Sequence, residues 1–143
     1  MKRLASAFVL QVAIFLTITA HAQTSASIDS SAVRATVTNY IEAYWTGDAH
    51  RMEQTLHPHY LKHMIHGDIP VREKTGPEMV REVAKNGPVD IASASKTEKV
   101  EVLDVAGTIA SAKLITPGWT DYMTLEKVGG EWKILSVVQR IDN

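Results

Sequence analysis

The chain has 143 residues, with 15 Lys and Arg against 16 Asp and Glu, a formal net charge of -1 and no cysteine. This length accommodates one ordinary domain rather than two. The absence of cysteine rules out a disulfide framework, a zinc–thiolate centre and a cysteine nucleophile, and no basic block interleaved with aromatics marks nucleic acid as a partner.

Residues 1–22 open with Lys2 and Arg3, continue as an uncharged apolar run from Leu4 to about Ala20, and close on the small-x-small tripeptide Ala20-His21-Ala22. This pattern predicts a secretory signal peptide cleaved near Ala22. It implies export to periplasm or medium, and no membrane association once the segment is removed. Cleavage would take two cations and no anion, moving the net charge from -1 to -3. Residues 23–29 begin the small, polar stretch TSASIDSS and are expected to form a short leader. Residues 30–143 are expected to form a single domain.

From Asp29 to Thr46, Val33, Val37, Tyr40, Ile41 and Tyr44 recur at steps of three and four, with Asp29 or Ser30 as a cap and Gly47 as a stop. That spacing predicts an amphipathic helix. Asp48 can cap a second, shorter helix through AHRMEQTL, which has to end near Leu56 because His57 precedes a proline. A third helix is written at 75–87, where Thr75-Gly-Pro-Glu78 resembles a capping box and Gly87-Pro88 ends the periodic run. After Pro88 the segments 96–105, 107–116, 119–128 and 131–141 read as strands, rich in Val, Ile and Thr, and Gly129-Gly130 has the chemistry of a two-residue hairpin loop. Helices first and consecutive strands afterwards give an α+β class, with helices covering one face of a curved antiparallel sheet.

HPHYLKHMIHGD, residues 57–68, places His57, His59, His63 and His66 within ten positions. As a helix it would align His59, His63 and His66 to grip zinc or copper, with Asp68 or Glu73 completing the shell. As a strand it divides them, with His59, Leu61, His63 and Ile65 on one face and Tyr60, Lys62, Met64 and His66 on the other. The helix ending at Leu56 and the turn at Gly67-Asp68 into IPVRE favour the strand. No metal ligand set and no cofactor is therefore assigned, and His57 and His66 are expected to be bystanders.

In WTDYMTLEK, alternation puts Trp119, Asp121, Met123 and Leu125 on one face, which is the core face. A carboxylate there has to be paired, hydrogen-bonded or held protonated, because burying it alone is prohibitive. Asp121 is thus the first candidate for chemistry or for anchoring a ligand. His63, directed inward toward Asp121, would complete an acid–base pair titrating near neutrality. In the last strand Trp132, Ile134 and Val138 are expected to share the core face, with Arg140 solvated.

A long helix ending in YIEAYWTGD, a short one closing on LHP, a helix opening TGPEMV and a final WTDYMTLEKVGGEWKILSVV together resemble the nuclear transport factor two-like superfamily, nearest its putative lumazine-binding and SnoaL-like groups. The resemblance implies a cone in which a bent sheet wraps the first helix around an apolar pocket. Carried over by position, Tyr40, Tyr44, His63, Trp119, Asp121 and Trp132 would line that pocket. It also implies dimerisation through the open sheet face, with Tyr122, Thr124 and Val137 contributing. The leading functional reading is an exported protein that binds a small apolar or aromatic molecule. The alternatives are an acid–base enzyme of isomerase, dehydratase or cyclase type using Asp121 and His63, and a non-catalytic interaction module with a filled core.

Overall fold

The computed structural model describes residues 27–67, 69–90 and 96–142. The expected signal peptide, residues 23–26 of the expected leader and Asp68 lie outside them. Helix α1 spans residues 27–46 and is already formed at Ser27, so Asp29 and Ser30 lie within it instead of capping it. Its spacing buries Val33, Val37, Tyr40 and Ile41, together with Ala43 and Trp45. Each large apolar side chain so buried contributes roughly 1.5–3 kcal/mol.

Gly47 ends the helix at φ +71°, a left-handed conformation that disfavours a side chain. A Cβ at this position would also overlap the Gly87 carbonyl carbon and stand 2.7 Å from Pro88 N. This close approach lets Val89 N–H donate to the Trp45 carbonyl at 3.0 Å, tying the end of α1 to the loop after the third helix. Helix α2, Ala49–Thr55, begins where Asp48 Oδ1 accepts from Arg51 N–H at 2.9 Å. It hands over directly to β1, Leu56–His66, and β2, Ile69–Thr75, returns antiparallel to it. Helix α3, Gly76–Asn86, then opens with the Thr75 amide and hydroxyl donating to the Glu78 carboxylate at 2.8 and 2.6 Å. These contacts hold the Glu78 carboxyl below its usual range.

The remaining strands, β3 (Lys99–Ala106), β4 (Ile109–Thr116), β5 (Trp119–Val128) and β6 (Glu131–Ile141), form a meander. The six-stranded sheet has the order β2-β1-β6-β5-β4-β3, and α1, α2 and α3 pack on it. It is mixed where a wholly antiparallel sheet was expected, because β1 lies parallel to β6. No hairpin links these two strands, so nothing in the local chain dictates an antiparallel pairing between them.

One irregularity decides which residues face the helices. Leu125 pairs with Ile134 and Thr124 pairs with Ser136, so Leu135 is an extra residue on β6. Such a bulge bends the strand and reverses its alternation. Before it Trp132 and Ile134 point inward, and after it Val137 and Gln139 do. Val138, expected in the core, is therefore 42% exposed, while Val137, expected on the outer face, is fully buried. The outer row instead reads Tyr122, Val138, His63 across three paired strands.

Candidate functional site

Where β1, β6 and β5 run side by side, the register puts Lys62, Val137 and Met123 in one row across the sheet, and Met64, Gln139 and Asp121 in another. The inner face of this part of the sheet thus carries a lysine and an aspartate on strands separated by β6. The C-terminal half of α1 covers them with Tyr40, Ile41 and Tyr44, and α3 adds Met79 and Glu82. Between these elements lies a pocket of ≈ 520 Å³, whose wall includes Lys62, Met64, Lys74, Trp119, Asp121 and Gln139. A sealed interior is thereby excluded.

Asp121 has no solvent exposure and Lys62 only 5%. Lys62 Nζ lies 3.5 Å from Asp121 Oδ2 and donates to Tyr40 Oη at 3.2 Å, and Tyr40 Oη lies 3.4 Å from Tyr60 Oη. Four buried polar side chains on α1, β1 and β5 thus form one chain. Burial raises the Asp121 pKa above its ordinary value, with Lys62 opposing the rise. Burial also lowers the Lys62 pKa, with Asp121 opposing the fall. Both groups are pushed toward their neutral forms because each charge loses hydration that one neighbour at 3.5 Å only partly replaces. Burial likewise raises the Tyr40 and Tyr60 hydroxyls, so both remain protonated at neutral pH.

Asp121 is not fully satisfied. The Gln139 and Trp119 side chains lie near enough to favour its charged form. Neither meets hydrogen-bond geometry, and Oδ1 has no partner among the described residues. A buried carboxylate oxygen left in this state costs on the order of 1–3 kcal/mol, more when charged, and that cost is relieved by anything in the pocket able to hydrogen-bond with it. Around this polar centre Tyr44 and Trp119 stand edge to face with ring centroids 5.9 Å apart, a geometry favoured by aromatic quadrupoles. Lys74 and Glu82 form an ion pair at the wall of the pocket.

Of the six residues expected to line the pocket, Tyr40, Tyr44, Trp119 and Asp121 come together on its wall. Trp132 lies toward the N-terminal end of α1, where its Nε1 donates to Asp29 Oδ1 at 3.2 Å, and it lines a separate groove with Thr36 and Arg51. His63 shares the outer row with Tyr122 and Val138, and its Nε2 lies 3.1 Å from Glu73 Oε1. The position facing Asp121 belongs to Lys62. Alternation along β1 divides the residues as expected, but the face carrying Tyr60, Lys62 and Met64 is the inner one. A lysine within that set argued against burial, and the carboxylate that compensates it is 59 positions away in sequence. The only sequence signal for Lys62 was its place between Tyr60 and Met64.

A family model described as "Putative lumazine-binding" matches residues 28–139. A search of curated proteins finds no match. Among solved structures, a nuclear transport factor two-like protein of unknown function from Silicibacter pomeroyi aligns with TM-score 0.67 at 18% identity, covering 81% of this chain and 98% of that one. A ketosteroid isomerase-like protein from Erwinia carotovora atroseptica aligns with TM-score 0.55 at 14% identity over 79% and 95% of the two chains. A "putative dehydratase" from Streptomyces avermitilis aligns with TM-score 0.53 at 16% identity over 82% and 98%. These likenesses establish the nuclear transport factor two-like fold.

Replacing Lys62 by Met is expected to destabilise the protein by about 3–5 kcal/mol at pH 8, because it leaves a buried carboxylate without its cation. A carboxyl whose folded pKa lies above its unfolded value contributes stability that is complete below the ordinary 3.8 and lost as pH rises through the folded pKa. Without Lys62 the strongest opposition to that rise is gone, so the variant should be closer to wild type at pH 5 than at pH 8. Combining it with Asp121→Leu should recover most of the loss. Urea unfolding of the three proteins at the two pH values measures this, and a single variant matching wild type at both would show that the pair is not buried.

Proposed function

The chain belongs to the Putative lumazine-binding family, and on that premise we propose that it is a small-molecule-binding protein whose ligand sits between α1, α3 and the inner face of β1, β6 and β5. The observation that carries this reading is Asp121: a fully buried carboxylate on a pocket wall, with Oδ1 unpartnered among the described residues. The ligand would place a polar head against that oxygen and its flat or apolar body against Tyr44, Trp119, Ile41 and Met79. A pocket of ≈ 520 Å³ with few convergent polar groups suits a molecule of one to three rings.

A second reading, an acid–base enzyme, draws support from two neighbouring groups pushed in opposite directions by burial. In it Asp121 moves a proton with Lys62 as partner, the place that sequence assigned to His63. The neighbours described as ketosteroid isomerase-like and as a dehydratase have the same fold, and a fold of this kind hosts more than one activity. We also propose that the protein is exported, on the charge, apolar run and small-residue end of residues 1–22, and that it pairs through the outer sheet face, where Tyr122 and Val138 stand side by side and exposed.

A thermal-shift screen of small aromatic and heteroaromatic compounds tests the binding reading. A hit should quench the fluorescence of Trp119, and Trp119→Phe should abolish the change, because Trp45 and Trp132 do not line the pocket. Asp121→Asn should weaken binding by about 10- to 100-fold, the worth of a hydrogen bond to a charged group. Unchanged affinity would sink the assignment of Asp121 as anchor. Export is checked separately by intact mass: protein expressed with its N-terminus native should start near Gln23, and retention of Met1 to Ala22 would contradict it.

A further inference from the structure

Lys62 does more in this pocket than neutralise Asp121. Lys62 is among the residues lining the pocket, and its Nζ lies between a carboxyl oxygen at 3.5 Å and a phenol oxygen at 3.2 Å. An amine that is to attack a carbonyl needs such a setting: a neighbour to accept its proton, a neighbour to protonate the departing oxygen, and little water to reverse the condensation. Lys74, which also lines the pocket, is ion-paired with Glu82, so its amine is engaged. We propose that Lys62 forms a reversible imine with an aldehyde or ketone held in the pocket. The proposal deepens the binding reading by naming a ligand class, and it rests on that reading for the presence of a ligand.

The step balances without an added reagent. The Nζ lone pair forms a C–N bond with the carbonyl carbon while the carbon–oxygen π pair moves to oxygen, which takes the proton of the Asp121 carboxyl. The resulting carboxylate removes a proton from the substituted nitrogen. It then returns that proton to the carbinolamine hydroxyl, which leaves as water as C=N forms. The carboxylate finally takes the remaining proton from the iminium nitrogen, so one carbonyl and one amine give one imine and one water, with Asp121 ending as it began. The starting state, neutral amine beside neutral carboxyl, holds the same number of protons as the ion pair. Burial favours it, lowering the lysine's pKa and raising that of the aspartate. Oδ1 has no hydrogen-bond partner among the described residues, so a carbonyl brought against it displaces no existing contact, and Tyr40 accepts a hydrogen bond from Nζ and holds it in place.

The test uses benzaldehyde as probe with sodium cyanoborohydride, which reduces an imine to a stable benzylamine, followed by intact mass and peptide mapping. Wild-type protein should acquire a single benzyl group at Lys62, roughly tenfold faster than exposed lysines such as Lys99. Asp121→Asn should slow this labelling by about 100-fold, the scale of one general acid–base group. Lys62→Arg should leave only slow surface labelling. Label spread over surface lysines with Lys62 unmodified in the wild type overturns the proposal without recourse to any variant. Benzyl alcohol, which cannot form an imine, separates the two readings by Trp119 fluorescence: if it binds while Lys62 stays unlabelled, the imine fails and the pocket's binding role stands.

Discussion

Burying one lysine beside one aspartate on the inner face of the sheet is the constraint on which the site depends. Neither side chain is tolerated alone in that position, since an unpaired buried charge costs several kcal/mol. Their meeting depends on the relation between β1 and β5, strands that never pair directly and are held apart by β6. The parallel pairing of β1 with β6 sets the height of Lys62, and the antiparallel pairing of β6 with β5 sets that of Asp121. The bulge at Leu135 then turns Gln139 inward beside Asp121. Without that extra residue alternation would put Val138 and Arg140 on the inner face and turn Gln139 outward.

Much of this was legible in the sequence because it rests on local patterning. The periodicity of Val33, Val37 and Tyr40 marks α1, Thr75 and Glu78 mark the start of α3, and Gly107, Gly118 and the pair Gly129-Gly130 mark the turns of the meander. Asp121 was conspicuous as a carboxylate within the alternation Trp119, Met123, Leu125. The inward face of β1 was not legible, since Leu61 and Ile65 compete with Tyr60 and Met64 and only pairing with a distant strand decides. The bulge in β6 was also hidden: ILSVV contains nothing that identifies Leu135 as the extra residue. Both misreadings, His63 for Lys62 and Val138 for Val137, are single-residue shifts of register. A strand converts each such shift into a change of face.

The pocket joins an aromatic and apolar body to a polar centre that is internally strained for charge. Tyr44 and Trp119 supply ring surface, Tyr40, with Tyr60 behind it, supplies a hydroxyl that stays protonated, and Asp121 and Lys62 supply a carboxyl and an amine whose charged forms burial disfavours. Such a centre suits recognition of a polar head on a small apolar molecule, and the same groups are those that carbonyl chemistry at an amine requires. Binding and covalent capture are thus two uses of one arrangement, separated by whether the ligand carries an electrophilic carbon.

The most direct measurement of the central claim is the titration of the Asp121 carboxyl carbon by NMR, in wild type and in Lys62→Met. Burial beside a single lysine predicts a midpoint above the ordinary 3.8 in wild type and a further rise when the lysine is removed. A wild-type midpoint at or below 3.8, unmoved by the substitution, would mean that Asp121 is solvated and that Lys62 does not face it.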